Sequence, residues 1–90
     1  MKKATLKKIK AELEEVVSDK YQFSDTVVCI NSDKSSRLIT ITYDGGGFDY
    51  LSMGKCAVAD WYRGRLFAIA KKYGCYFEDY ASYRMDLFLK

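Results

Sequence analysis

No histidine occurs anywhere in the 90-residue chain. Histidine is the commonest general base, the commonest metal ligand and the one unperturbed side chain that changes charge near neutral pH. Without it, neither a Ser-His-Asp nor a Cys-His catalytic site can be built. Proline is absent as well, so the turns must rely on Gly, Asn, Asp and Ser. Cysteine is scarce: Cys29, Cys56 and Cys75 are widely spaced and include no Cys-x-x-Cys pair. Three scattered thiols do not make a closed four-ligand zinc site. Their odd count fits a reducing cytoplasm better than a disulfide framework. Each lies in or beside an apolar stretch and reads as a small buried hydrophobe. No apolar run is long enough to span a bilayer. The N-terminus lacks the apolar centre and small-residue cleavage site of a signal peptide.

What is present describes a folded domain. The chain is 49% hydrophobic and 30% charged, a balance far from that of a disordered tail. Its length allows one domain, residues 1–90, with a single modest core. The net charge of +3 is unevenly spread. Lys2, Lys3, Lys7, Lys8 and Lys10 make a basic arm over residues 1–10, while the remainder carries ten basic and twelve acidic residues.

Periodicity outlines the elements. Leu6, Ile9, Leu13, Val16 and Val17 form the stripe of an amphipathic helix over about 5–18. Residues 26–30 and 37–43 read as strands joined by the polar turn 31–36. A short third strand is expected over 48–51. Ser52 is the expected N-cap of a second helix that reaches about Tyr73, with Val58, Tyr62, Leu66, Ile69 and Tyr73 on its apolar face and Gly74 as its stop. Strands over 75–80 and 83–89 follow, and Tyr83, Met85, Leu87 and Leu89 alternate as the inward set. The order α-β-β-(β)-α-β-β implies an α+β fold. It is a two-layer sandwich, an antiparallel sheet of four to five strands with two helices on one face.

The run Asp44-Gly45-Gly46-Gly47 invites comparison with a phosphate loop, and the comparison fails. Six residues, not four, separate Gly47 from Gly54-Lys55, and Cys56 stands where a magnesium-binding hydroxyl belongs. No Gly-x-Gly-x-x-Gly opens a helix. Asp44 and Asp49 would also repel an anion. The reading is a turn in which Asp-Gly supplies positive φ. No catalytic residue, metal ligand or cofactor site is therefore expected, and the chain reads as a binding protein rather than an enzyme.

Two surfaces stand out. Trp61, Arg65 and Lys72 fall at the edge of the second helix's apolar face, and tryptophan rimmed by basic residues suits a protein partner. The segment 73–83 holds five aromatics in eleven residues, and strand alternation turns some of them outward, with Tyr76 and Tyr80 as the partner-binding candidates. The alternative is nucleic-acid binding by Lys2, Lys3, Lys7, Lys8 and Lys10. Positive charge at a helix N-terminus opposes the macrodipole and so is not explained by helix stability. Membership among double-stranded-RNA-binding domains is excluded, because only Lys55 stands where that family has a lysine cluster at its second helix.

One resemblance covers about residues 9–46. Ile9-Lys-Ala-Glu-Leu13, Tyr21-Gln-Phe23-Ser24, Ser35-Ser36 and Tyr43-Asp44-Gly45 resemble the twenty-ninth of the large polyvalent protein associated domains, found in proteins of phages and conjugative elements. That pattern has a lysine-rich helix, a Phe-Ser strand start, a Ser-Ser before the second strand and an aromatic-Asp-Gly close. The family usually carries Trp-Thr-Asp-Gly-Pro where this chain has Ile41-Thr42-Tyr43-Asp44-Gly45-Gly46. The resemblance implies a phage or mobile-element context and no catalytic residues. The expectation is a cytoplasmic module that binds a protein, such as a host defence or replication factor that it inhibits.

Overall fold

Helix α1 covers Lys3–Val16, shifted two residues towards the N-terminus from its apolar stripe. The computed structural model describes residues 1–31, 36–45, 47–52 and 56–90. Most of the expected 31–36 turn, together with Gly46 and Gly54-Lys55, lies outside the described residues. Strand β1 (Val27–Ile30) and strand β2 (Arg37–Thr42) follow, then a one-turn helix α2 (Phe48–Leu51), helix α3 (Ala57–Lys72), strand β3 (Cys75–Ala81) and strand β4 (Arg84–Leu89). The four strands form one antiparallel sheet in the order β1-β2-β4-β3. The α+β fold inferred from sequence is the fold observed. No helix among the described residues is long and apolar enough to cross a membrane.

Alternation decides which sheet face meets the helices. Val28, Ile39, Ile41, Cys75, Met85 and Leu87 point inward and join Ile9, Leu13, Val16, Leu66 and Ala70 in one core. The other face carries Val27, Cys29, Thr40, Tyr76, Tyr80, Arg84, Asp86 and Phe88. Cys29 is therefore exposed, and so is Cys56, at the α3 N-cap. Only Cys75 is the buried hydrophobe expected of all three, and burial pushes its thiol pKa up. Within the inward set of β4, Met85 and Leu87 are fully buried, whereas Tyr83 and Leu89 are exposed. Tyr83 precedes the strand, and Leu89 ends it opposite Cys75 at the sheet's margin.

Three local expectations are corrected. Phe48–Leu51 is a helical turn rather than a strand. Helical winding drops Leu51 fully into the core. Ser52 ends α2 instead of opening α3. Its hydroxyl donates to the Ser82 carbonyl at 2.6 Å, tying α2 to the β3–β4 turn. Gly45 and Gly47 do not supply positive φ; among the described residues Gly74 alone does, at +70°, as the C′ residue that stops α3.

Gly45 and Gly47 matter for space instead. A Cβ on Gly45 would overlap the Asp25 side chain, and one on Gly47 would overlap the Thr26 hydroxyl, with Tyr43 and Phe23 close behind. The opening of this loop is glycine because it lies against residues 25 and 26. Gly47→Ala should therefore destabilise the protein by about 1–3 kcal/mol through overpacking. The check is a urea titration, where the midpoint should fall at constant m. An unchanged midpoint would mean that Thr26 rotates away freely.

Candidate functional site

Helix α3 buries a line different from the one its large apolar residues suggest. Ala59, Arg63, Leu66 and Ala70 face inward, with Tyr62, Ile69 and Tyr73 half-buried beside them, and Val58 is exposed. The two alanines let the helix lie close to the sheet, and the long Arg63 side chain reaches past them. Its guanidinium donates to both carboxylate oxygens of Asp79, at 2.8 and 2.6 Å, and to the Leu51 carbonyl at 2.9 Å. This bidentate pair joins α3, α2 and β3. The Tyr43 hydroxyl is buried in the same region and makes no hydrogen bond of normal geometry. Burial, and then the Asp79 charge, push its pKa up.

That rotation leaves Val58, Trp61 and Arg65 on the outer side of α3. Trp61 is 57% exposed. Its ring meets the edge of Tyr62 at 4.8 Å between centroids, and the Arg65 guanidinium lies 5.1 Å from the indole centroid. Tyr62 is itself fixed: it packs edge-on to Phe23 and Tyr50, and its hydroxyl donates to Gln22 at 2.8 Å. The indole is thus held from beneath while its outer surface faces water. Arg65 also borders a shallow groove of about 310 Å³ between α1 and α3, walled by Glu12 and Glu15 and floored by Val16, Ala68 and Ile69.

Lys72 stands at the far end of α3, away from Trp61. It pairs with Glu12 at 3.0 Å, and the same carboxylate accepts a hydrogen bond from the Tyr73 hydroxyl. These two partners, Tyr73 first, hold the Glu12 pKa below its ordinary value. The sign follows: this tie stabilises above the ordinary carboxylate range and is lost as pH falls through the lowered folded value. Lys72 therefore fastens α3 to α1.

Tyr76 and Tyr80 lie on the open face of the sheet, across the core from α3. Tyr76 stacks on Phe88 with centroids 5.6 Å apart, and the Arg84 guanidinium lies 4.1 Å above the Tyr80 ring. Arg84 also pairs with Asp86, which accepts from the Thr40 hydroxyl at 2.6 Å. Asn31 in turn donates to that hydroxyl at 2.9 Å. Asp86 is only 2% exposed although it sits on the open face. The sequence-derived set of Trp61, Arg65, Lys72, Tyr76 and Tyr80 is thus distributed over three places. Trp61 and Arg65 are together, Tyr76 and Tyr80 share the other face, and Lys72 is a fastening between helices.

The lysine arm is the first half of α1, not a separate tail. Lys2, Lys3, Lys7 and Lys8 are exposed. Lys10 is half-buried and bound to Glu14 at 3.1 Å. Lys3 and Lys7 border a groove of about 490 Å³ with Leu6, Ile30 and Asn31, where β1 ends. Among the described residues, no three His, Cys, Asp or Glu side chains converge as a metal site would require. No family model matches this chain, and neither a curated protein nor a solved structure is similar to it.

Proposed function

We propose that this protein is a non-enzymatic binding module of a phage or mobile element, acting in the cytoplasm by engaging a host protein such as a defence or replication factor. One observation carries the reading: Trp61 is braced by Tyr62 and Arg65 yet leaves more than half its surface in water. Covering the core's margin would account for the packed face of the indole but not for holding the other face in water. A partner supplies a reason, because a rigid aromatic loses little entropy on contact and tryptophan and arginine predominate at energetic centres of interfaces. Val58, one turn earlier and also exposed, extends the apolar strip. The partner should offer an apolar pocket to the indole. The mobile-element context rests on the resemblance over residues 9–46.

Trp61→Ala should weaken partner binding by about 2 kcal/mol or more while leaving the melting curve nearly unchanged. The measurement is a binding isotherm and a melt on the same variant, with the partner first captured from nuclease-treated host lysate. A collapsed melt would make Trp61 a core residue. An unchanged isotherm with an unchanged melt would end the assignment of this surface.

A further inference from the structure

The topology collects positive charge at one end of the molecule. Helix α1 begins where β1 ends, since Lys3 and Lys7 share a groove with Ile30 and Asn31. The same end holds the start of β2, because Ile30 pairs with Ile39 and Arg37 with Phe88. It also holds the start of β3 and the finish of β4, where Cys75 pairs with Leu89 and the Lys90 amide donates to the Gly74 carbonyl. Helix α3 runs towards this end, so Lys71 and Lys90 border one small groove with Tyr76. Several acidic residues among those described lie elsewhere. Glu14 stands near Thr26, Asp25 touches the loop after β2, and Asp44, Asp49 and Asp60 cluster about α2 and the start of α3. Glu12, on α1, is already bound by Lys72 and Tyr73.

An aromatic pair marks the same end. Tyr76 and Phe88 stack on the open face of the sheet, and Tyr76 also lines the groove that Lys71 and Lys90 border. We propose that this end is a binding site for single-stranded nucleic acid: Lys3, Lys7, Lys71 and Lys90 contact phosphates while a base stacks on the Tyr76–Phe88 pair. The charge selects a polyanion, and the exposed rings select unpaired bases, whose faces a duplex conceals. From β1 to β3 is three strand spacings, about 14 Å. A strand of the roughly 4–16 nucleotides that single-strand binders hold is long enough to cross it. Glu78, two residues beyond Tyr76 on the same face, limits the site towards the middle of the sheet. This site is separate from Trp61, and neither reading depends on the other.

The test is fluorescence anisotropy at low salt with labelled oligothymidine DNA, oligouridine RNA and a duplex of equal length. Both single strands should bind more tightly than the duplex; a preference between them names the polymer. The double variants Lys3→Ala/Lys7→Ala and Lys71→Ala/Lys90→Ala should each lower affinity about tenfold. Each should also reduce the salt slope by about 1.4, for two phosphate contacts at about 0.7 each. Tyr76→Leu, which keeps an apolar group against Phe88, should lower affinity about tenfold with the slope unchanged, whereas Tyr76→Phe should retain it. Lys20→Ala, at the acidic end, should change nothing. The proposal is overturned if neither single strand binds or if the duplex binds equally well. It also fails if Lys20→Ala acts like the paired variants, or if those variants abolish only capture of a protein from nuclease-treated lysate.

Discussion

Asp79→Ala should cost about 3 kcal/mol of stability, the lower part of the 3–5 kcal/mol range for stripping one partner from a buried ion pair. The Arg63 side chain is 7% exposed and that of Asp79 25%, so water reaches the carboxylate but hardly the guanidinium. Removing Asp79 leaves a cation beneath α3 with the Leu51 carbonyl as its remaining acceptor among the contacts described. The arginine cannot discharge itself, because its pKa lies too high. It must either stay unpaired or pull out, opening the space between α3 and β3. Equilibrium urea denaturation measures the loss. The double variant Arg63→Met/Asp79→Leu should recover most of it, since apolar groups of similar volume often replace a buried pair at no net cost. A single-variant loss below about 1 kcal/mol would mean that solvent screens the pair as it does at a surface.

Leu87→Ala should be comparably damaging, at about 2–5 kcal/mol. Leu87 is fully buried on β4, with Ile39 on one side and Phe77 on the other. Strands hold it on both flanks, so the surroundings cannot close over the missing atoms, and the residual cavity adds to the lost transfer energy. Leu89→Ala is the control within the same strand. That residue is 51% exposed, and its truncation should cost less than about 0.5 kcal/mol. Both variants are read by the urea midpoint. Equal losses at the two positions would contradict the inward register described for β4.

Features that depend on short stretches were legible in the sequence. Helix α1 announced itself by a stripe at steps of three and four, the strands by β-branched runs, and the end of α3 by Gly74. Helix α2 was not legible, because four residues are too few to show a period of 3.6. On α3, Tyr62, Leu66, Ile69 and Tyr73 pack on the core as expected, but Val58 does not and Arg63 was missed, because size was weighed without the distant carboxylate. Arg63 is buried on account of Asp79, sixteen residues further on, and nothing local to the helix signals that pairing. The candidate surface was legible residue by residue but not as a surface. Some aromatics of the 73–83 segment were expected to face outward, yet only the layer order shows that outward from β3 is away from Trp61. The lysines of α1 stood out in the sequence. That Lys71 and Lys90 join them could be seen only once the strand directions were known.

The position of β4 bears on how the chain folds as it is made. The fourth strand in sequence does not add to an edge; it enters the sheet between β2 and β3. Until residues 84–89 leave the ribosome, β3 has no strand to pair with, and β2 has β1 alone. Helix α1 and the β1–β2 hairpin can associate early, but the inward sides of Ile39 and Ile41 remain partly uncovered. The register is then sealed by contacts between the two halves of the chain, a high-separation pairing that is slow to find. Nascent chains should therefore stay protease-sensitive until residues 84–89 have emerged and become resistant in one step, with no stable N-terminal half along the way.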